Sequence, residues 1–277
     1  MNPAPHLLTG EELQRISALL NRWTGMTFGE NKRYYLERRI GERLRRTDSE
    51  DMRIYFARLL SDPAERQALI NAVTINETYF YREDQQLAAL TASILPDIVQ
   101  GRRPGDRVRI WSLPCATGEE GYSIAIWLLE NWPLVDAYHV EIVGSDIDTD
   151  ALLAAREGLY GERALARLPD RVRDAYFEPE QRFQRRIIED LRQSVAFSQV
   201  NLIDPAEVAA AGQFDVILCR NLLIYFDDEA RMTAAAHLYE ALNPGGYLCL
   251  GHSESMARID PRYRLVRLGD AMVYRRD

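Results

Sequence analysis

The chain has 277 residues, 47% apolar and 27% charged, enough for one large domain or two modest ones, of which two is the expectation. A net charge of −8 excludes a general nucleic-acid binder, which needs a dense cationic footprint. No apolar run approaches the roughly 20 residues of a bilayer span and no signal-peptide pattern opens the chain, so a cytoplasmic protein without membrane insertion is expected.

The first part, to about residue 73, reads as amphipathic helices separated by caps. Thr9-Gly10-Glu11-Glu12 is a capping box, in which hydroxyl and carboxylate each accept a backbone N–H of the other residue. It starts a helix with Leu13, Ile16, Leu19 or Leu20 and Trp23 inward and Gly25 just past its end. A second helix is predicted over residues 31–46. At 100° per residue, Leu36, Ile40 and Leu44 form one stripe and Arg39, Arg43 and Arg46 an adjoining one. Seven cations against two acids between Lys32 and Arg46 give +5 in an acidic chain. Such an edge is either a solvated face or a docking surface for an acidic partner. Ser49 is expected to cap a third helix through Leu60, and Asp62-Pro63 to open a fourth through Val73.

An aromatic, polar link from Asn76 to Arg82 leads to a helix over residues 84–99 and a glycine- and proline-bearing turn at 101–106. Strands are then predicted at 107–111, 140–144, 195–199, 214–219 and 247–250, alternating with helices near 124–129, 149–157 and 228–242. Alternation of this kind builds a parallel sheet wound with helices. Two last strands, 263–268 and 271–275 around Gly269-Asp270, form an antiparallel hairpin, a pattern of methyltransferase folds that nicotinamide-binding sheets usually lack. Periodicity weakens between about residues 158 and 193, which marks an inserted small subdomain. The expected fold class is α/β. A small all-helical N-terminal domain and its linker occupy residues 1–82, and a doubly wound, mostly parallel, Rossmann-like sheet domain occupies residues 83–277.

Ligands of such sheets sit above the carboxyl ends of the strands. After the first strand, Ala116-Thr117-Gly118-Glu119-Glu120 departs from G-x-G-x-x-G, placing two carboxylates where a pyrophosphate needs bare N–H groups. A cationic, phosphate-free nucleoside such as S-adenosylmethionine fits better, since Glu119 and Glu120 can complement its sulfonium and ammonium. After the second strand, Asp146 is placed to accept both ribose hydroxyls; alone it would be a turn or cap residue. After the third, the Asn201 amide can read an adenine edge and Leu202 can pack on its face. After the fourth, Arg220, Asn221 and Tyr225 leave a β-rich run into the cleft, Tyr225 being alternatively a half-buried core residue. Cys115, Cys219 and Cys249 are far apart and odd in number, which reads as buried reduced thiols. His6, His139, His237 and His252 are scattered without ligand spacing, so no metal is expected.

Asn76-x-Thr78-x-Phe80-x-Arg82, Ala116-Thr117-Gly118-Glu119-Glu120-x-Tyr122-Ser123, Ser145-Asp146-Ile147-Asp148, Phe214-Asp215-x-Ile217-x-Cys219-Arg220-Asn221-x-x-Ile224-Tyr225-Phe226 and Gly251-His252-Ser253-Glu254 occur in that order. Together they resemble the chemotaxis receptor methyltransferases, the CheR family, over nearly the whole chain. The resemblance implies transfer of the S-adenosylmethionine methyl group to glutamate side chains of methyl-accepting chemoreceptors, leaving S-adenosylhomocysteine. Carried over residue by residue, it places Asn76, Thr78, Arg82, Glu120, Asp146, Asn201, Leu202, Arg220 and Asn221 around the cofactor. Of the two adjacent acids, Glu120 is the one assigned.

A glutamate carboxylate, with a pKa of about 4.3, is ionised at neutral pH and needs no general base. The catalytic assignments are therefore to alignment. Tyr225 steers the carboxylate, and Arg82 grips the carboxylate of either the cofactor or the substrate. The cofactor is preferred because a tight Arg–Glu pair would stabilise the ground state. Arg39, Arg43 and Arg46 would dock on acidic receptor helices. Members that tether to a receptor tail share a glycine-rich turn in the inserted β-subdomain. Residues 176–186 contain no glycine, so receptor capture without that tether is expected; the enzyme is expected to be a monomer. The alternative from another class is a signalling adaptor that binds the cofactor with little or no turnover. A nucleic-acid methyltransferase would show an acceptor motif such as Asn-Pro-Pro-Tyr where this chain has Arg220-Asn221-Leu222-Leu223.

Overall fold

The Thr9 hydroxyl accepts from Glu12 N and the Glu12 carboxylate accepts from Thr9 N, which starts α1 (Gly10–Thr24) in the computed structural model of residues 7–277. Gly25 ends it at φ 75°, a left-handed conformation that costs glycine little. A 3₁₀ turn at Glu30–Lys32 precedes α2 (Arg33–Arg46), and α3 (Met52–Ser61) and α4 (Pro63–Val73) follow. Asp51, not Ser49, caps α3 by accepting from Ile54 N; the Ser49 hydroxyl is spent on Thr47. His6 lies outside the described residues.

The helix predicted over residues 84–99 is one run in three parts: α5 (Asp84–Ala89), a π turn at Leu90–Ile94 and α6 (Leu95–Val99). The π turn falls just before Pro96, which has no N–H to continue the ladder. Next come β1 (Arg107–Ser112), α7 (Glu119–Asn131), β2 (His139–Asp146) and α8 (Thr149–Glu157). The insertion holds β3 (Leu159–Gly161), α9 (Glu162–Leu165), α10 (Asp170–Tyr176) and β4 (Gln184–Arg186), with β3 and β4 paired antiparallel. The chain continues through α11 (Glu189–Ser194), β5 (Val195–Gln199), α12 (Pro205–Ala211), β6 (Phe214–Cys219), α13 (Asp228–Ala241), β7 (Leu242–Leu250), β8 (Tyr263–Leu268) and β9 (Ala271–Arg276).

The sheet order is β5-β2-β1-β6-β7-β9-β8. β9 pairs antiparallel with both neighbours, while β5 through β7 are parallel. The second strand of the predicted hairpin thus joins the sheet, and the first becomes its edge. Winding reverses at β1, which opens a crevice above the carboxyl ends of β1, β2 and β6. β6 is buried along its whole length, as a sheet covered on both faces requires. From Val216 to Cys219 the side chains alternate between the two cores, Ile217 and Cys219 in one and Val216 and Leu218 in the other, with the period of two that a pleated strand imposes; Phe214 joins the core of Ile217 across a register shift between Phe214 and Val216.

Helices α1–α4 have no separate core. Ile16, Leu20, Leu36, Ile40 and Leu69 belong to the same cluster as Trp111, Phe214 and Phe226. Polar contacts seat these helices over the strand ends. Asn21 Nδ2 donates to Asp227 Oδ2 at 2.7 Å, Asn71 Nδ2 to Thr149 Oγ1 at 2.8 Å, and Gln67 Nε2 to Ile147 O at 2.9 Å. Among the described residues no helix is long and apolar enough to cross a membrane.

Candidate functional site

A cleft opens between the strand ends and the helical part, the place where a sheet wound with helices holds its ligand. Its lining includes Asn76, Thr78, Arg82, Glu120, Asp146, Asn201, Leu202, Arg220, Asn221 and Tyr225. All the residues the sequence assigned to a cofactor or to chemistry are therefore brought together. Glu119 is not among them; it is buried and accepts from the Thr117 hydroxyl.

Asp146 ends β2 with its carboxylate buried. Oδ2 accepts from Ala116 N at 2.8 Å and Oδ1 from Asp148 N at 2.9 Å, leaving lone pairs on both oxygens for a ligand hydroxyl. Burial pushes its pKa up to about 6, against the pull of those N–H bonds. Asp148 caps α8 and also accepts from the Thr74 hydroxyl and from Asn76 Nδ2. The linker residue Asn76 is thereby pinned to the second strand end. Gly118, at φ 94°, does not line the cleft. A Cβ there would stand 2.9 Å from Ala155 Cβ and 3.1 Å from the Tyr160 hydroxyl. The glycine that flagged this loop is thus required by packing against α8 and β3 rather than by ligand approach.

Arg220 leaves β6 almost wholly buried. Its Nε donates to Glu120 Oε2 at 2.5 Å, its Nη1 to Arg82 O at 2.8 Å, and Glu83 Oε2 lies 3.9 Å away. Glu120 also accepts from the Ser112 hydroxyl. Neither acid of the loop therefore stands free to meet a cation. Two carboxylates about one guanidinium nevertheless leave one negative charge in excess beside the cleft. Glu83, which sequence reasoning missed, sits in left-handed backbone at φ 55°.

The next residues form a short structured loop. Asn221 adopts φ 59°, and its Oδ1 is buried without a partner. Glu254 accepts from the backbone N–H groups of Asn221, Leu223 and Gly251, each at 2.7–2.8 Å. That cradle gives the Gly251-His252-Ser253-Glu254 motif a physical task, since it holds the segment that carries Asn221 and Tyr225. At Asn201 the amide donates to Trp23 O at 2.7 Å and accepts from Ile203 N. It braces α1 against the third strand end, keeping one N–H and one lone pair for a ligand.

The opposite wall comes from the helical part: Met26, Phe28 and Lys32. They follow α1 in a segment whose apolar residues lack helical spacing, the one signal that could have marked them as a lining. Met26 bridges Phe226, and Thr27 N donates to Tyr225 O. Tyr225 packs against the core on one side and lines the cleft on the other; its hydroxyl has no hydrogen-bond partner among the described residues. Burial raises the pKa of that hydroxyl, and the nearby Arg82 guanidinium works against the rise. Arg82 itself donates to Glu77 O at 2.7 Å.

On α2 the predicted basic edge divides. Arg46 is exposed and Arg39 half-buried over the Tyr35 ring. Arg43 corrects the expectation: it turns inward and forms a buried pair with Glu65, which also accepts from the Tyr55 hydroxyl. A guanidinium facing α4 must be paired, so it cannot dock a partner. Arg38 and Arg45 are exposed in its place.

The family description "CheR methyltransferase, SAM binding domain" matches residues 76–271, and "CheR methyltransferase, all-alpha domain" matches residues 11–74. Chemotaxis protein methyltransferase 2 of Vibrio cholerae is 44% identical over 270 residues, 97% of this chain and 93% of that protein. Chemotaxis protein methyltransferase 2 of Pseudomonas aeruginosa is 36% identical over 261 residues, 93% of this chain and 91% of that one. Among solved structures, magnesium protoporphyrin IX methyltransferase of Synechocystis with bound SAM is 15% identical with a TM-score of 0.39, covering 78% of this chain and 85% of that one. The chain belongs to the CheR methyltransferase family and is an S-adenosylmethionine-dependent methyltransferase of chemotaxis.

Proposed function

We propose that this methyltransferase esterifies glutamate side chains of methyl-accepting chemoreceptor helices, working in the cytoplasm as a monomer and without a receptor-tail tether. The observation that carries the reading is the surroundings of Tyr225. Among the described residues its hydroxyl has no hydrogen-bond partner and no histidine lines the cleft, while the Arg82 guanidinium is near. Amine and hydroxyl acceptors must lose a proton to react, whereas a carboxylate is already a nucleophile at neutral pH.

S-adenosylmethionine, when bound, supplies a methyl group activated by its positive sulfur, which departs as a neutral thioether as the acceptor oxygen bonds the carbon. The chain's own residues bind and align. Asp146 accepts the ribose hydroxyls, Asn201 and Leu202 close the adenine side, and Asn221 Oδ1 takes a ligand donor. The excess negative charge of Glu83, Glu120 and Arg220 faces the ammonium. Arg82 grips the cofactor carboxylate, and Asn76 and Thr78 complete the linker wall. Tyr225 donates to the incoming carboxylate and excludes part of its water, positioning of a kind worth about 7–11 kcal/mol at best. The exposed cations Arg38, Arg45 and Arg46, with the half-buried Arg39 beside them, attract acidic receptor helices, an attraction that salt weakens. In the insertion, the turn before β4 is built from Arg182 and Phe183 at φ 52° and 64° rather than from glycines.

Tritiated S-adenosylmethionine and receptor cytoplasmic fragments test this. Base-labile label mapping to glutamates is expected, at a rate unaffected by removing the receptor's last residues. Cofactor binding without such label would identify an adaptor instead.

A further inference from the structure

Lys32 is the single lysine among 34 lysine and arginine residues, and it stands in the cleft. Its ammonium lies 4.8 Å from the centre of the Tyr225 ring and 5.5 Å from that of Phe28. Among the described residues its side chain enters no ion pair and no hydrogen bond. Partial burial lowers its pKa, as expected where two aromatic faces replace part of the hydration. Its neighbour Arg33, by contrast, is paired with Glu30. A half-buried cation that no carboxylate of its own chain answers is costly to keep, and it fits a site whose missing anion arrives with the substrate.

We infer that Lys32 is the substrate-carboxylate site: its ammonium captures the acceptor glutamate against the face of Tyr225 and lets go of the neutral ester. This deepens the glutamate-methylating function proposed above and rests on it. The residue type follows from the charge change. The acceptor enters as an anion and leaves uncharged, so a cation beside it favours the reactant over the transition state. An arginine fork would grip that reactant in two parallel bonds, whereas a lysine is a single flexible point charge. Lys32 therefore acts in capture and in choosing glutamate over glutamine, and contributes nothing to the bond-making step. It also makes the helical part a wall of the active site rather than only a docking module.

Lys32→Met keeps the stem against Phe28 and Tyr225 and removes the charge. Steady-state methylation of a receptor cytoplasmic fragment should show KM raised about tenfold and kcat unchanged or slightly higher, with S-adenosylhomocysteine affinity unaltered by calorimetry. Lys32→Cys supplies the second arm, because the native Cys115, Cys219 and Cys249 are buried and the new thiol is the accessible one. Aminoethylation, which restores an ammonium, should return KM toward wild type. Carbamidomethylation, similar in bulk and neutral, should not. An unchanged KM in Lys32→Met, a parallel loss of S-adenosylhomocysteine affinity, or equal rescue by both adducts would overturn the inference. Wild-type protein that methylates no receptor overturns the proposed function and this site with it; an active wild type with an unaffected Lys32→Met overturns this site alone.

Discussion

On the sheet side of the cleft, polar groups are already held by the protein: Asp146 takes two backbone N–H groups, Glu254 takes three, and Arg220 lies between Glu120 and Glu83. On the helical side, Met26 and Phe28 offer apolar surface, and Lys32 offers a charge without an ion-pair partner among the described residues. Groups fixed by the backbone do not reorganise when a ligand binds, which suits a cofactor that never varies. An apolar face with one cation suits the carboxylate acceptor proposed above, which brings the opposite charge with it. The two walls therefore differ in how much of their final geometry exists before the ligands arrive.

The largest test of that contrast is Arg220→Met, which leaves Glu120 and Glu83 buried without their cation. A loss of about 3–5 kcal/mol is expected, read by urea unfolding, and a loss below about 1 kcal/mol would show that the sheet wall does not depend on this cluster. Asp146 gives a pH-dependent test. Its folded pKa of about 6 lies above the ordinary 3.8, so the fold favours the neutral form. The stability it contributes is complete below about pH 4 and fades as pH rises through about 6, by up to about 3 kcal/mol. Asp146→Asn should remove that decline. Because ribose hydroxyls donate best to the ionised acid, wild-type S-adenosylhomocysteine affinity should fall as pH drops below about 6, and a flat affinity profile would count against the assignment.

Tyr225→Phe should lower turnover about tenfold while cofactor affinity stays within about twofold; equal loss of both would move Tyr225 into the cofactor wall. Asn21→Ala removes one hydrogen bond between the two halves and should cost about 1 kcal/mol, with cofactor affinity kept. The smallest effect on stability belongs to Arg45→Glu with Arg46→Glu, both exposed, within about 0.5 kcal/mol. Receptor capture should nevertheless weaken and lose part of its salt dependence. Arg43→Glu, by placing a carboxylate against the buried Glu65, should instead unfold readily, separating the inward arginine from its exposed neighbours on one helix.

Caps and periodicities were legible wherever the signal is local. The Thr9 capping box, the Asp62-Pro63 start of α4, Thr149–Glu157 and the strand at Phe214–Cys219 all follow from bonds or alternation within a few residues. Asp204-Pro205 carries the same start signature as Asp62-Pro63, and α12 follows it. That helix was legible too, but its seven residues are too few for a clear apolar stripe. The π turn before Pro96 left no periodic trace.

The chain order of β-rich and helical segments, and the polar residues at the ends of the strands, were determined by sequence alone, because a parallel sheet wound with helices delivers those ends to one side whatever else the chain does. The tertiary structure decided which charges are answered. Whether Arg43 faces Glu65 or solvent, whether Glu120 is free or held by Arg220, and whether Lys32 meets Tyr225 depends on groups 22, 100 and about 200 positions apart in the chain. Electrostatic pairing acts through space, and no local pattern records it.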